Sequence, residues 1–331
     1  MQSIASESKE LKTKLLGIKP SQYQQLALQI FRFQARNCDT YHTYIESLGV
    51  EFDKINRLED VPYLPVSAFK NEKVITGKWD ESEVFHSSTT TGGIPACHYV
   101  KDANWYKIIA RKCFEDVYGP VSDYSFFCLL PNYLERKGSS LVFMADDFIK
   151  TSGRKGGFYL YDHKRLIADL RETRGKKILL GVSYALLDIV KELPGRLDDI
   201  IVMETGGMKG RKEEIPRGEL HLLLEESFGV NEIHSEYGMT ELMSQAYSKG
   251  KGVFHPSFSM KISTVQVNDP LTIEEYGRTG IIRIIDLANI DSCSFVMTND
   301  LGNVYVDGSF EIMGRADHSE IRGCNLMVSD L

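Results

Sequence analysis

The sequence predicts an α/β protein that combines a helix-covered parallel sheet with a β-rich part toward its C-terminal end. Two patterns lead to this prediction. Between about residues 120 and 235, apolar runs typical of buried strands alternate with amphipathic helical stretches, and this order produces a parallel sheet with helices on both faces. From about residue 250 onward, apolar and polar residues alternate between turn residues, which indicates short strands.

Residues 1–80 are predicted to be helical. Ser21 and Gln24 have the spacing of a capping box, and the apolar residues that follow share one helical face: Tyr23, Leu26, Ala27, Ile30 and Phe31. No repeat or low-complexity linker interrupts the chain. We therefore predict one compact domain with a helical N-terminal part at 1–80, an α/β part at 81–248 and a β-rich subdomain at 249–331.

The middle and end of the chain divide into short predicted elements. A helix begins near Asp102 and ends before Gly119, and a buried strand lies within 124–130. The next predicted elements are helices at 139–148 and 164–174, a strand at 177–182, a helix at 185–193, a strand at 199–204, a helix at 217–228 and a strand at 232–235. In the β-rich part we predict strands at 259–267, 280–286, 303–307 and 309–313, with turns at 268–270, 300–302 and 307–308.

Composition and charge exclude several classes of protein. Hydrophobic residues make up 42% of the 331 positions and charged residues 26%, as in soluble globular proteins. A net charge of −7 leaves no basic face for nucleic acid. The start of the chain lacks a secretory signal and no apolar stretch is long enough to span a bilayer, so we expect a cytoplasmic protein. The six cysteines include no CxxC pair, which predicts reduced thiols, and Cys113 and Cys128 lie in apolar patterns typical of a core.

The stretch 86–95 is the first candidate site. It joins five successive hydroxyl residues to two glycines. Hydroxyl groups can donate to phosphate oxygens, and glycines allow the backbone to approach an anion closely. The stretch has no GxxxxGK[ST] pattern, so it differs from the common lysine-containing phosphate loop. The alternative interpretation is a flexible surface loop.

Two further candidate loops follow predicted strands, at 204–210 and 235–241. Ligands of parallel sheets bind at the carboxyl ends of the strands. In the second loop, Thr240 could hold a phosphate oxygen while Glu241 holds Mg²⁺. The alternatives are an ordinary glycine turn for the first loop and, for the second, a capped helix start with Thr240 or Glu241 in its first turn.

Four segments, in this order, resemble the motifs of the adenylate-forming (ANL) superfamily, which includes acyl-CoA synthetases and aryl-CoA ligases. They are the hydroxyl- and glycine-rich stretch at 87–95, Tyr-Gly-Met-Thr-Glu at 237–241, Thr-Asn-Asp-Leu at 298–301, and Gly-Arg-Ala-Asp at 314–317 followed by Ile321 and Gly323. The stretches 62–70 and 321–326 also resemble the LuxE group of acyl-protein synthetases. The resemblance implies an ANL-type large N-terminal domain, with parallel sheets covered by helices and a β-rich C-terminal subdomain.

The resemblance also implies roles for individual residues. The β- and γ-phosphates of ATP would contact Ser87, Ser88, Thr90, Thr91 and Gly92. The α-phosphate would contact Thr240, Mg²⁺ would bind Glu241, and the adenine pocket would be lined by Gly206, Gly207 and Tyr237. Asp300 would bind the ribose hydroxyls with Arg315 beside ribose or phosphate, and Cys324 would accept the acyl group. Without the resemblance, Asp300 is a turn residue, Arg315 a surface ion pair and Cys324 a free thiol.

Some features depart from the superfamily pattern. Thr89 and Asn299 stand where glycine is usual, and Ala96 stands where lysine is common. These changes affect the expected mobility and the lysine contact of the first loop. The sequence ends soon after the hinge-like motif, so we expect it to lack the small C-terminal domain of most ligases.

These observations support three interpretations of function. In the first, the protein activates a carboxylic acid, preferably a fatty acid, with ATP and Mg²⁺ and passes the acyl group to Cys324. In the second, a carrier-protein thiol or an amine receives the acyl group. In the third, the chain is a non-catalytic nucleotide-binding subunit of a reductase or transferase complex. The expected partners are the small acid and an acyl reductase, an acyltransferase or a carrier protein.

The binding place of the acid is predicted less directly. Residues 129–133 and 181–185 lie at predicted strand ends and could form the wall of an apolar pocket. His234 could lie near the acid's carboxylate, and the alternative is a histidine satisfied by its neighbours at a strand end.

Overall fold

The computed structural model describes residues 3–88, 94–131, 138–193, 195, 197, 199–206 and 215–316. The helices that lie within these residues are α1 (Ile4–Leu16), α2 (Tyr23–Asn37), α3 (Asp39–Ser47), α4 (Ala68–Asn71), α5 (Ala103–Tyr118), α6 (Ser140–Ser152), α7 (His163–Glu172), α8 (Ser183–Val190) and α9 (Arg217–Phe228). Short 3₁₀ turns occur at Pro20–Gln22, Phe52–Lys54, Leu58–Asp60 and Val121–Asp123. The predicted helical character of the N-terminal part and the helix at 217–228 are confirmed.

The strands of the first two-thirds of the chain are β1 (Leu64–Pro65), β2 (Glu83–His86), β3 (Cys97–Val100), β4 (Ser125–Leu129), β5 (Gly157–Phe158), β6 (Lys177–Val182), β7 (Ile200–Thr205) and β8 (His234–Tyr237). The later strands are β9 (Ala246–Ser248), β10 (Val253–Phe254), β11 (Met260–Gln266), β12 (Asp269–Ile273), β13 (Gly280–Asp286), β14 (Phe295–Val304) and β15 (Phe310–Arg315). The predicted strands at 177–182 and 280–286 therefore have the bounds that their apolar runs indicated.

A six-stranded sheet has the order β5-β4-β6-β7-β8-β9, and all of its neighbouring strands are parallel except β8 and β9. Every residue of β4 and of β6 is buried, as expected for strands covered by helices on both faces. Gly181 lies beside Glu204, and Glu204 lies beside Ser235. The carboxyl ends of β6, β7 and β8 therefore form one edge of this sheet.

The second sheet has seven strands in the order β10-β15-β14-β13-β11-β12, and β1 pairs in parallel with β14. Its other pairings are antiparallel. A buried apolar cluster that includes Tyr237, Phe254 and Phe310 packs between the end of β8 and this sheet. The two sheets thus meet near the carboxyl end of β8.

Several local predictions in the β-rich part are wrong. The turn at 300–302 is absent, because this segment continues β14, and the chain leaves the strand after Val304. The register shifts between Leu301 and Gly302, where an added Cβ would lie 2.2 Å from the carbonyl oxygen of Glu311. Glycine at this position permits a bulge with close backbone approach. The residues of this bulge resemble those of a turn, which explains the wrong prediction. Pro270 lies in β12, an edge strand that tolerates proline.

A short hairpin that the sequence analysis did not predict carries the hydroxyl-rich stretch. Strands β2 and β3 pair antiparallel, with Phe85 opposite His98 and His86 opposite Cys97. Residues 89–93, between these strands, lie outside the described residues. The described ends of the stretch, residues 87–88 and 94–96, therefore adjoin the ends of β2 and β3.

Candidate active site

Gly206, one of the predicted adenine contacts, lies at the sheet edge formed by the carboxyl ends of β6, β7 and β8. Gly206 directly follows β7 and has a φ of +67°, a conformation that favours glycine. The hydroxyl of Ser183, which follows β6, donates to the carbonyl oxygen of Gly206 at 2.8 Å. This contact joins two neighbouring strand ends. Gly207 lies outside the described residues.

Tyr237, Asp300 and Arg315 form a chain of contacts between the two sheets. The Tyr237 hydroxyl donates to Asp300 Oδ2 at 2.9 Å, and Arg315 Nε lies 3.5 Å from Asp300 Oδ1. Asp300 and Arg315 are direct neighbours across β14 and β15. Burial raises the pKa of Asp300, and the positive charge of Arg315 opposes this shift. The interpretation of Asp300 as a turn residue is wrong, and Arg315 forms its ion pair with another predicted site residue.

The loop that follows β8 does not start a helix, so the capped-helix interpretation of 238–241 is wrong. The backbone of this loop is held from outside. His98 Nδ1 lies 2.8 Å from the carbonyl oxygen of Thr240, and Asn289 Nδ2 donates to the carbonyl oxygen of Glu241 at 2.9 Å. His98 Nε2 is 3.0 Å from Asn289 Oδ1. Burial lowers the pKa of His98 to about 4, and the contacts with Thr240 and Asn289 act in the opposite direction.

Glu241 is a buried carboxylate on which two positively charged side chains act. It is 6% exposed, and burial raises its pKa to about 7, while the charges of Arg315 and Lys70 act in the opposite direction. Among the described residues, no group of three acidic, histidine or cysteine side chains could hold a metal. Mg²⁺ commonly binds one or two carboxylates together with substrate phosphates. A single buried Glu241 fits that mode, because a nearby cation favours its ionised form.

The base of the hydroxyl-rich stretch lies near this loop. Ser87 N–H donates to the Ala96 carbonyl oxygen at 3.0 Å, and Ser87 Oγ accepts from Ala96 N–H at 2.8 Å. Ala96 is buried, so this position packs in the hairpin. His98 is two residues from Ala96, or about 7 Å along the strand, and it contacts Thr240. Of the other predicted phosphate contacts, Ser88 is described, whereas Thr90, Thr91 and Gly92 lie outside the described residues.

The sequence analysis missed an ion-pair group directly behind Gly206. Glu204 is 2% exposed, with Arg217 Nε at 3.1 Å and His221 Nε2 at 3.6 Å from its Oε1. Burial would raise the pKa of Glu204, but the contacts with His221 and Arg217 outweigh it and lower the pKa. The Arg217 guanidinium also lies 5.3 Å above the Phe254 ring of the second sheet. The sequence analysis covered these residues only through the candidate loop at 204–210 and the predicted helix at 217–228, and neither pattern indicates an ion pair.

Two further predictions have mixed outcomes. His234 is the first residue of β8, at the opposite end of the strand from Tyr237, and its position relative to the acid's carboxylate stays a prediction. Its Nδ1 lies 3.0 Å from the Tyr118 hydroxyl, and burial lowers its pKa to about 4. The prediction that Cys113 and Cys128 belong to the core is confirmed. Cys324 lies outside the described residues.

Comparison with known sequences gives one partial similarity. No protein-family profile matches the chain. Over 71 residues, the chain is 31% identical to a long-chain-fatty-acid–luciferin-component ligase of Photorhabdus luminescens. The aligned stretch covers 22% of this chain and 60% of that ligase, so the similarity spans less than two-thirds of the curated relative.

Comparison with solved structures identifies the fold. A 2-hydroxyisobutyryl-CoA ligase in complex with an acyl-AMP superposes with a TM-score of 0.67, at 14% identity, over 91% of this chain and 69% of the ligase. ATP-bound MatB from Rhodopseudomonas palustris gives a TM-score of 0.54 at 14% identity over 73% of this chain, which spans 49% of MatB. The chain has the adenylate-forming (ANL) fold. The predicted fold class is therefore confirmed.

Within the ANL fold, the described part of this chain joins Gly206, Tyr237, Asp300 and Arg315 around one junction of two sheets. The loop with Thr240 and Glu241 lies beside that junction. The charges of Arg315 and Asp300 therefore both affect the pKa of Glu241. None of the described helices has the length and apolar character needed to cross a bilayer.

Proposed function

We propose that this protein is an AMP-forming ligase that activates a carboxylic acid with ATP. The observation that carries this proposal is the contact chain of Tyr237, Asp300 and Arg315, which brings together residues predicted to bind one nucleotide from three separate parts of the sequence. The likeness of fold to ligases that were solved with ATP, AMP or an acyl-AMP supports it.

The proposed reaction has two steps. A carboxylate oxygen of the acid attacks the α-phosphorus of ATP, and pyrophosphate leaves with the electron pair of the broken P–O bond. A nucleophile then attacks the acyl carbon of the mixed anhydride, and AMP leaves. The protein has to align the two reactants and offset the negative charge of the phosphates.

Each part of the site supplies one element of this alignment. The Asp300 carboxylate is available to accept ribose hydroxyls, and Gly206 with Tyr237 would border the adenine. The β- and γ-phosphates would contact Ser87, Ser88, Thr90, Thr91 and Gly92, and the α-phosphate would contact Thr240. Arg315 is 72% exposed at its side chain, so it can turn toward ribose or phosphate. Glu241 would hold Mg²⁺, whose charge stabilises negative charge on the phosphate oxygens.

For the second step, we propose transfer to Cys324. The 71-residue similarity to a long-chain-fatty-acid–luciferin-component ligase supports a fatty acid and a LuxE-like acyl-protein intermediate. In the sequence, Arg322 lies two residues before Cys324, and a nearby cation favours the reactive thiolate. Thiolate attack on the acyl carbon would form a thioester and release AMP.

Acid-dependent exchange of labelled pyrophosphate into ATP tests the first step. We expect exchange with at least one acid from a panel of fatty, aromatic and substituted carboxylic acids. A protein that binds ATP but supports exchange with none of them would be a non-catalytic nucleotide-binding subunit, and the proposal would be wrong.

Intact-mass measurement after incubation with ATP and an active acid tests the second step. The protein is expected to gain the mass of one acid molecule less one water, and Cys324→Ser is expected to lose this gain while it keeps pyrophosphate exchange. Cys97→Ser is the matched control, since Cys97 is the one described cysteine that is not buried. An equal acyl gain in Cys324→Ser would assign the acceptor role elsewhere, to a carrier-protein thiol or an amine.

The pH dependence of exchange reports on Glu241. Because its pKa is raised to about 7 and only the carboxylate binds a cation, we expect kcat/KM to fall about tenfold per pH unit below pH 7 and to level off above it. Burial also raises the pKa of Glu236 to about 7, so Glu236→Gln is the matched variant. The acid limb is expected to persist in Glu236→Gln, and its loss there would transfer the assignment to Glu236.

A further inference from the structure

A group of buried polar side chains lies on the face of β8 away from Asp300. Glu236 and Tyr237 are adjacent in β8 and therefore point to opposite faces of the sheet. Glu236 is directly opposite Thr205 of β7 and Tyr247 of β9. We name Glu236, Thr205, Tyr247, Gln245 and Tyr106 the polar cluster; each of its members is less than 9% exposed.

The polar cluster is incompletely hydrogen-bonded. The Thr205 hydroxyl donates to Glu236 Oε2, and Gln245 Nε2 donates to the Tyr106 hydroxyl at a long 3.4 Å. Within the described part of the chain, Gln245 Oε1 and the Tyr247 hydroxyl are buried without any hydrogen-bond partner. Each such atom costs free energy when it is left unpaired. Native structures keep few buried polar atoms without a partner, so each of them needs a physical explanation.

Glu236 and Gln245, two members of the polar cluster, lie close to the backbone at the end of β8. Gly238 is the first residue after β8, and an added Cβ there would lie 2.5 Å from Glu236 Oε1 and 3.5 Å from Gln245 Cγ. The absence of a side chain at Gly238 therefore lets the Glu236 carboxylate pack against the first residue of the loop that continues to Thr240. The polar cluster is thus next to the place where the proposed reaction occurs.

The unpaired atoms indicate which chemical group fits. Glu236 Oε1 and Gln245 Oε1 are acceptors, and the Tyr247 hydroxyl can accept as well. An unsubstituted alkyl chain would leave Gln245 Oε1 and the Tyr247 hydroxyl unpaired, whereas a hydroxyl or an ammonium group would donate to them and to the Glu236 carboxylate. We infer that the polar cluster binds a hydrogen-bond-donating substituent on the acid, so that the protein selects a hydroxy- or amino-substituted acid over the alkanoic acid of equal length. This inference rests on the proposed acid ligase function.

Pyrophosphate exchange with matched acids tests the inference. Alkanoic acids are compared with derivatives of equal length that carry one hydroxyl or one amino group at successive carbons. We expect at least one substituted acid to exceed its parent in kcat/KM by about 100-fold, because a parent acid leaves buried polar atoms unpaired. Parent acids that equal or exceed all of their derivatives would overturn the inference while leaving the ligase function intact.

The same acids are also tested by thermal unfolding, which does not require catalysis. The substituted acid is expected to raise Tm more than its parent at equal concentration. If no acid supports exchange, the ligase function fails, and the unfolding measurement still decides whether the polar cluster recognises a donor. Equal Tm shifts for all acids would then overturn the inference as well.

Two variants connect the preference to the polar cluster. Tyr247→Phe removes an unpartnered buried hydroxyl, so we expect it to raise the Tm of the free protein by about 2 °C and to reduce the ratio of substituted to parent acid about tenfold. Glu236→Gln keeps an acceptor but loses the negative charge. It is therefore expected to reduce the ratio of kcat/KM for an amino-substituted acid over its parent more than the ratio for a hydroxy-substituted acid. Tyr276→Phe and Glu226→Gln, on exposed positions, are the controls. An unchanged ratio in both cluster variants would contradict the assignment.

Discussion

Asp286→Ala is expected to lower the free energy of unfolding by about 4 kcal/mol. Asp286 is fully buried at the end of β13, and its carboxylate accepts from Met243 N–H, Ser244 N–H and Ala288 N–H at 2.7, 3.0 and 3.1 Å and from the Ser244 hydroxyl at 2.6 Å. Alanine would leave the three backbone N–H groups buried without this acceptor, while the Ser244 hydroxyl keeps its contact with Ser259. Burial raises the pKa of Asp286 in spite of the hydrogen bonds, which shows that the ionised carboxyl is itself costly, so we expect less than the sum of four lost bonds.

Urea unfolding measures this effect, provided that the dependence on denaturant is unchanged. The control is Asp269→Ala, because Asp269 also accepts from a backbone N–H and a hydroxyl, those of Leu271 and Thr272, but lies in an exposed edge hairpin. We expect the control to cost less than about 1 kcal/mol. Equal losses in both variants would mean that Asp286 does not hold the segment after Glu241 in place. Pyrophosphate exchange is expected to fall with Asp286→Ala, since that segment continues the candidate site.

Glu241→Gln is expected to reduce kcat/KM for pyrophosphate exchange by roughly 100- to 1,000-fold. The amide has nearly the shape of the carboxylate but lacks the charge that the proposed role toward Mg²⁺ requires. The same variant is expected to be more stable than the parent protein above pH 7. The folded-state pKa of about 7 lies above the ordinary value of 4.5, so ionisation of the buried carboxyl costs up to about 3 kcal/mol at high pH.

A simultaneous loss of exchange and gain of Tm at pH 8 separates this role from simple misfolding, which would lower both. Stability gained at the cost of function is typical of active-site carboxylates. Glu275→Gln is the control, since Glu275 is exposed and pairs only with the exposed Arg278 among the described residues. Exchange above a tenth of the parent rate in Glu241→Gln would be incompatible with the proposed role.

The polar cluster and the sequence similarity constrain the acid in different ways. The proposed fatty acid rests on the 71-residue match to a long-chain-fatty-acid–luciferin-component ligase, whereas the inference from Glu236, Gln245 and Tyr247 calls for a hydrogen-bond donor on the acid. A hydroxylated fatty acid satisfies both. The exchange panel should therefore include such acids together with short hydroxy and amino acids.

The sequence predicted local structure well where a single pattern dominated. The apolar run at 177–182 and the amphipathic helix at 217–228 have their predicted bounds. Continuous burial and helical periodicity are properties of neighbouring residues, so they can be read without knowledge of the fold. Prediction was wrong where pairing with a distant strand overrides local preference. Asp300 and Gly302 resemble a turn but continue β14, because β15 pairs with them across a bulge.

By itself, the sequence determined the fold class and the set of residues from which a nucleotide site could be built, since both depend on residue types in order along the chain. Only the tertiary structure decided which of these residues meet. It joins Tyr237 to Asp300 and Arg315, holds Thr240 through His98, and pairs His234 with Tyr118 at the other end of β8. The polar cluster also emerges only from folding, because its members come from neighbouring strands and a helix whose contacts are set by packing over the whole domain.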